Sequence, residues 1–92
     1  MRSPIVRQRV IVHGRVQGVW FRGTTRERAL ALGVAGWACN RPDGTLEAVF
    51  EGEAEAVERL VSFCETGPRG AAVTRAERFE EQPEGLAGFE AR

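Results

Sequence analysis

The apolar residues of this chain change their spacing repeatedly, between the two-residue period of strands and the period of about 3.6 residues that is typical of helices. Helical spacing is clearest at residues 53–66, and a second helical stripe covers residues 22–32. The stripe of the clearer helix comprises Ala54, Val57, Leu60, Val61 and Cys64. Strand-like alternation stands directly before it, at residues 45–52. A stripe on one side of each helix predicts that both helices cover a sheet.

The turn signal Arg41-Pro42-Asp43-Gly44 joins two of the predicted strands into a hairpin, because proline presets φ and Asp-Gly closes the bend. The four predicted strands span residues 5–12, 34–40, 45–52 and 71–81. Residues 88–92 could add a short edge strand at the C-terminus. The order β-α-β-β-α-β predicts a ferredoxin-like α+β sandwich, with an antiparallel sheet that two helices cover on one face.

The length of 92 residues predicts a single domain, residues 1–92, with one core. Residues 1–4 lead straight into the first strand rather than into an apolar signal segment, and no apolar run approaches membrane-spanning length. A cytoplasmic location is therefore expected. Cys39 and Cys64 form no metal-ligand spacing and are expected to be small buried residues, although a disulfide between them stays open.

The net charge is zero but unevenly placed along the chain. Residues 1–46 carry eight arginines against Glu27 and Asp43, a net charge of +6. Residues 47–92 carry five arginines against eleven acids, a net charge of −6. The basic half could attract anions, or the two halves could interleave in space and cancel.

Between the first strand and the first helix lies a stretch with two glycines, Val12-His13-Gly14-Arg15-Val16-Gln17-Gly18-Val19-Trp20-Phe21-Arg22. A strand that turns into a helix N-terminus directs unpaired backbone N–H groups at one point, where the helix dipole favours an anion. Gly14 and Gly18 permit positive φ, and Arg22 can donate a forked pair of hydrogen bonds to phosphate. The stretch predicts a phosphate-binding loop, with an ordinary strand-to-helix loop as the alternative.

Three common phosphate sites do not fit this stretch. A Walker loop requires G-x-x-x-x-G-K-[ST], and the chain contains no lysine. The dinucleotide pattern G-x-G-x-x-G is absent, and no cysteine nucleophile lies between Val12 and Arg22.

A second candidate group is the amide of Asn40, which ends the second predicted strand in Gly36-Trp37-Ala38-Cys39-Asn40. An amide can both donate and accept hydrogen bonds, so Asn40 could hold a water molecule in line with a bound phosphorus. Asparagine also commonly starts turns. The residues alone favour the turn.

Three segments together resemble the acylphosphatase family. Gly14 to Arg22 matches its signature G-[RK]-V-Q-G-V-x-F-R, and Gly36 to Asn40 is similar to its G-W-V-[RK]-N segment. The ending Phe89-Glu90-Ala91-Arg92 resembles the family's F-x-x-R. The resemblance covers nearly the whole chain, and agreement over nine positions of the first motif makes it specific.

This resemblance implies an enzyme that hydrolyses carboxyl-phosphate anhydrides without metal, cofactor or covalent intermediate. It places phosphate binding on Arg22 and water orientation on Asn40. It also implies that backbone N–H groups of the loop bind phosphate oxygens, those of Arg15, Val16, Gln17, Gly18 and Val19. Ala38 and Cys39 depart from the family's valine and basic residue.

Two other functions keep the same predicted fold. One is a non-catalytic module that binds phosphate or carbamoyl phosphate, and the other is an RNA-binding module, although the central strands lack the aromatic pattern of RNA readers. We expect a monomer that acts on a small acyl phosphate and engages neither nucleic acid nor membrane. Trp20 and Trp37 could stack an acyl group, but partly buried packing is the expected role of both. His13, beside the loop, is expected to be structural.

Overall fold

The computed structural model describes residues 4–92. The elements along these residues are β1 Ile5–Arg15, α1 Phe21–Leu32, β2 Ala35–Asn40, β3 Leu46–Glu53, α2 Ala54–Thr66, β4 Ala72–Glu81 and β5 Phe89–Ala91. The predicted order is confirmed, including the short C-terminal strand. The predicted entry into the first strand from residues 1–4 falls largely on Met1, Arg2 and Ser3, which lie outside the described residues.

The five strands form one sheet in the order β4-β1-β3-β2-β5. β1 pairs antiparallel with β3 and β4, and β2 pairs antiparallel with β3. β5 pairs parallel with β2, so the sheet is mixed where a purely antiparallel one was predicted. Because β1, β2 and β5 all run in one direction, their C-terminal ends lie at the same edge of the sheet.

β1 extends three residues beyond its predicted end at Val12 and reaches Arg15. A bulge between His13 and Gly14 bends the strand while it stays paired with β4. Gly14 has φ +116°, and a Cβ there would lie 2.2 Å from the carbonyl oxygen of Ala72. Only glycine fits this close approach. Gly14 therefore belongs to the bulged strand, and the loop starts at Val16.

The core lies between one face of the sheet and the two helices. α2 buries four residues of its predicted stripe, Val57, Leu60, Val61 and Cys64. α1 buries Phe21, Thr25 and Ala29. The Phe21 ring meets Phe63 of α2 edge-on at 5.6 Å between centroids, which joins the two helices over the sheet. Neither helix within residues 4–92 is long and apolar enough to cross a membrane.

The two cysteines are free thiols, which answers the open question of a disulfide. Cys64 is buried as expected, and this burial raises the pKa of its thiol to about 12. Cys39 is only half-buried. The Cys64 thiol therefore stays protonated at neutral pH and is a packing residue.

The face of the sheet away from the helices is also partly covered, which the predicted one-sided sandwich did not include. Val49 and Glu51 of β3 lie on this face, and both are buried. The segment that follows β4 crosses here, and the backbone N–H groups of Glu84, Gly85 and Leu86 donate to the Glu51 carboxylate at 3.0, 3.0 and 3.1 Å. These hydrogen bonds hold the segment that links β4 to β5 against the sheet.

The Glu51 carboxylate is the ionic centre of this face. It is 4% exposed and accepts a hydrogen bond from Nη1 of Arg7 at 2.8 Å. Burial alone would raise the pKa of Glu51, but the three backbone N–H groups and Arg7 outweigh it, so the pKa is lowered from its usual value. A carboxyl whose pKa is lowered on folding stabilises the protein above the unfolded-state pKa, and this contribution is lost as the pH falls through the folded-state pKa.

Glu51→Gln is expected to lower the free energy of unfolding by about 2 kcal/mol at neutral pH, because Arg7 and the three N–H groups lose their charged acceptor. The difference between wild type and variant should shrink in acid, below the ordinary range of carboxyl pKa values. Urea unfolding at neutral and acidic pH measures both. Glu58→Gln is the control, because its pair with Arg78 is exposed and should contribute less than about 1 kcal/mol. An equal loss in both variants would contradict this role for Glu51.

Candidate active site

The ends of three strands and the start of α1 meet at one edge of the sheet. β1 ends at Arg15, β2 at Asn40 and β5 at Ala91, while α1 begins at Phe21. The parallel pairing of β5 with β2 brings the end of the chain to this edge, and Arg92 N–H donates to the carbonyl of Ala38 at 2.8 Å. The two sequence motifs, remote along the chain, are therefore neighbours here.

Residues 16–20 form the loop between β1 and α1. Gly18 has φ +74°, and Trp20, at the N-cap of the helix, has φ +62°. The backbone N–H groups of residues 16–19 donate no backbone hydrogen bond within residues 4–92. N–H groups at a helix N-terminus that lack partners favour an anion, which is the geometry expected of a phosphate-binding loop.

A cavity of about 580 Å³ opens beside this loop. Its lining consists of the loop, the first turn of α1 and the ends of β2 and β5: Val16, Gly18, Val19, Trp20, Phe21, Arg22, Gly23, Asn40 and Ala91. Among residues 4–92, the lining contains one cation, Arg22, and no acidic side chain. Such a lining suits an anionic ligand.

Arg22 lies in the first turn of α1, and its Nη1 donates to the main-chain oxygen of Arg92. The end of the chain thus holds the guanidinium at the cavity. Within residues 4–92, Arg22 forms no ion pair with an acidic side chain, unlike Arg7 and Arg9 of the sheet. No acidic side chain within residues 4–92 therefore neutralises its positive charge.

Asn40 lines the same cavity, and its Oδ1 is a buried acceptor. Its Oδ1 has no hydrogen-bond partner among residues 4–92. The hairpin turn is closed by Asp43 instead, whose Oδ1 accepts from the N–H and the hydroxyl of Thr45 at 3.0 and 2.6 Å. A buried acceptor without a partner costs free energy, so the site favours a donor such as a water molecule.

Gln17 connects the loop to the hairpin that carries Asn40. Its Nε2 donates to the carbonyl oxygens of Arg41 and Thr45 at 2.8 and 3.0 Å. Its side chain points away from the cavity lining and fixes the distance between the loop and the end of β2. Gln17 therefore joins the two motifs into one site.

Gln17→Met is expected to lower kcat/KM for an acyl phosphate by about tenfold, because the loop loses its alignment with Asn40. The loss of stability should be only about 1 kcal/mol, since both carbonyls keep a backbone partner. Steady-state kinetics and urea unfolding measure the two effects. Gln82→Met, in the exposed segment after β4, is the control and should change neither.

The structure brings five of the seven predicted site residues to the cavity: Val16, Gly18, Val19, Arg22 and Asn40. Arg15 and Gln17 do not line it. Arg15 is the last residue of β1, paired with Ala72, and its side chain is exposed. Within residues 4–92, no three His, Cys, Asp or Glu side chains come together in a way that could hold a metal ion.

Similarity to known proteins agrees with this geometry. The sequence profile of the family described as Acylphosphatase matches residues 8–91. The chain belongs to the acylphosphatase family. It is similar to an acylphosphatase of Rubrobacter xylanophilus, with 60% identity over 87 residues, 94% of this chain and 79% of that one. An acylphosphatase of Gloeobacter violaceus is 54% identical over 85 residues, 92% of this chain and 91% of that one.

The fold is also similar to that of a solved acylphosphatase. The structure from Coxiella burnetii superposes with a TM-score of 0.91 at 34% sequence identity, over 96% of this chain and 93% of that one. The resemblance drawn from the sequence motifs is thereby confirmed, as are the ferredoxin-like fold and the class of enzyme, an acylphosphatase acting on acid anhydrides.

Sequence reasoning gave no site role to three residues of the cavity, Phe21, Gly23 and Ala91, and for Trp20 it preferred packing to acyl stacking. Trp20 was expected to be partly buried, but it is 72% exposed, so that expectation is wrong. Trp37 does pack: the Arg92 guanidinium lies 4.7 Å from its ring centroid, and it lies outside the cavity lining. His13 hydrogen-bonds through Nε2 to Glu77 at 2.6 Å, which fits the structural role expected of it.

Proposed function

We propose that this acylphosphatase hydrolyses carboxyl-phosphate anhydrides with its loop, Arg22 and Asn40 in separate roles. The backbone N–H groups of residues 15–19 and the Arg22 guanidinium bind the phosphoryl oxygens. Asn40 holds the attacking water. Charge stabilisation and positioning supply most of the catalysis in phosphoryl transfer, and these groups provide both.

The observation that carries this proposal is that Oδ1 of Asn40, a buried atom, has no hydrogen-bond partner within residues 4–92. Asn40 lines the cavity, and among residues 4–92 the lining has no charged side chain other than Arg22. A water molecule that donates one hydrogen to this oxygen and the other to a phosphoryl oxygen has its lone pair free for phosphorus. A phosphate held by the loop and Arg22 places phosphorus within reach of that lone pair.

In the proposed reaction the water oxygen forms a bond to phosphorus, and the bond between phosphorus and the acyl oxygen breaks. The electron pair leaves with the acyl oxygen, which becomes a carboxylate. The water proton passes to a phosphoryl oxygen of the substrate. A carboxylate is a weak base and leaves without a strong acid. This fits the lining, to which residues 4–92 contribute neither a histidine nor an acidic side chain.

Hydrolysis in isotopically labelled water tests where the water attacks. The proposal predicts that the label enters inorganic phosphate, whereas attack on the carbonyl carbon would place it in the carboxylate and contradict the proposal. The pH–rate profile gives an independent check. An essential side-chain base titrating near neutral pH would contradict proton transfer to the substrate phosphate.

We also propose that residues 1–92 act as one domain and as a monomer in the cytoplasm, without nucleic acid. One apolar core joins elements from β1 to β5, which supports a single unit, and every proposed site residue comes from one chain. On the sheet face that RNA readers use, the arginines of β1, Arg7 and Arg9, are paired with carboxylates. Light scattering and an RNA titration test the two finer points.

A further inference from the structure

Trp20 combines two features that packing does not explain. It has φ +62°, the only positive φ of a residue other than glycine within residues 4–92. Its side chain is nevertheless 72% exposed, the largest fraction among the exposed large hydrophobic residues. A bulky residue rarely adopts this backbone conformation, and such strain is typical of functional sites.

The position of the Trp20 ring is defined by Gly23, one turn into α1. A Cβ at Gly23 would lie 2.3 Å from Cε2 and 2.6 Å from Nε1 of the indole. The ring therefore lies against the backbone of the helix, and any residue larger than glycine at position 23 would displace it. One edge of the indole is held in place while most of its surface faces solvent.

The same ring lines the cavity that holds Arg22 and Asn40. If the loop and Arg22 bind the phosphoryl group, the acyl group must extend away from them toward solvent. Trp20, as an exposed lining residue, supplies a large apolar surface on that side. Aromatic faces bind flat apolar groups by offset or edge-on stacking.

We propose that Trp20 is a platform for the acyl group and makes the enzyme select acyl phosphates with flat or aromatic acyl groups over small aliphatic ones. This inference rests on the proposed function of the loop and Arg22. Trp20 acts here on specificity and not on the reacting atoms. A small acyl group such as acetyl does not extend far enough to cover the indole.

The test compares kcat/KM for benzoyl phosphate and acetyl phosphate in wild type and Trp20→Asn. Asparagine tolerates positive φ better than most residues, so this variant removes the ring without adding backbone strain. The ratio of the two kcat/KM values, benzoyl over acetyl, should fall by about tenfold, the size expected for loss of an aromatic contact. Trp20→Phe should restore most of the ratio.

Two controls separate this role from a structural one. Inhibition by inorganic phosphate reports the phosphate loop and should stay within about twofold of wild type. Leu30→Ala removes an exposed apolar residue of α1 that does not line the cavity, and it should leave the ratio unchanged. An equal loss of kcat/KM for both substrates in Trp20→Asn, or no loss for either, would overturn the proposed platform. A folded wild type that hydrolyses neither substrate would overturn the proposed function and the platform with it.

Discussion

Arg22→Ala is expected to abolish both phosphate binding and turnover. The cavity loses the one charged side chain that the described part of the chain gives to its lining, and with it the charge that opposes the transferred phosphoryl group. Arginines in comparable positions contribute about 10³-fold or more to phosphoryl transfer. Inhibition by inorganic phosphate and kcat/KM for benzoyl phosphate measure the two losses separately.

The chain offers a closely matched control for this variant. Arg26 also lies on α1 and also donates to the main chain near residue 92, from Nε to the carbonyl of Phe89 at 3.2 Å. Its side chain does not line the cavity. Arg26→Ala should therefore keep kcat/KM within about threefold of wild type, a range set by modest changes in positioning. Equal losses in Arg22→Ala and Arg26→Ala would show that Arg22 only anchors the C-terminal strand.

Asn40→Ala is expected to stop turnover while it spares the affinity for phosphate. The amide contributes the position of the water and no charge, so the loss should appear in kcat, by at least about 100-fold. The inhibition constant of inorganic phosphate should stay close to that of wild type. A variant with normal turnover would remove Asn40 from the mechanism.

The stability of Asn40→Ala separates catalysis from structure. Because Oδ1 has no partner within residues 4–92, its removal should leave the free energy of unfolding unchanged or raise it by up to about 1 kcal/mol. Asp43→Ala is the control, since it removes the acceptor of two hydrogen bonds from Thr45 and should destabilise the hairpin. A large loss of stability in Asn40→Ala would indicate a structural residue.

The sequence was sufficient for the order of the elements because each depends on local patterns. The stripe of α2 and the turn at Pro42 need no knowledge of the rest of the chain, and both are where they were predicted. The parallel pairing of β5 could not be predicted in this way. A strand of three residues has almost no periodicity, and its partner β2 is remote in sequence.

In the candidate site, too, local patterns predicted some residues and remote contacts decided the role of others. Gly18 and Arg22 could be assigned to a phosphate-binding loop, because a glycine before a helix N-terminus is a local signal. Asn40 could not be separated from an ordinary turn residue by its neighbours. Only the partners of Asp43, and the lack of one for Asn40 Oδ1 within residues 4–92, distinguish the two in the structure.

Local sequence patterns also could not predict the exposure of Trp20 or the burial of Glu51. Trp20 stands one residue before α1, so helical spacing does not show that its backbone turns to positive φ. Glu51 alternates like a surface residue of β3, and its burial depends on the N–H groups of residues 84–86, more than thirty positions away. In both cases a contact from another segment decides the environment of the side chain.

The separate roles of Arg22 in phosphate binding and Asn40 in water orientation are tested most directly by one assay of Asn40→Ala beside wild type. Hydrolysis of benzoyl phosphate is followed with EDTA present, and inhibition by inorganic phosphate is measured for both proteins. We expect turnover in wild type, none in the variant, and phosphate binding in both. Turnover by Asn40→Ala at the rate of wild type, or loss of phosphate binding together with turnover, would contradict these separate roles.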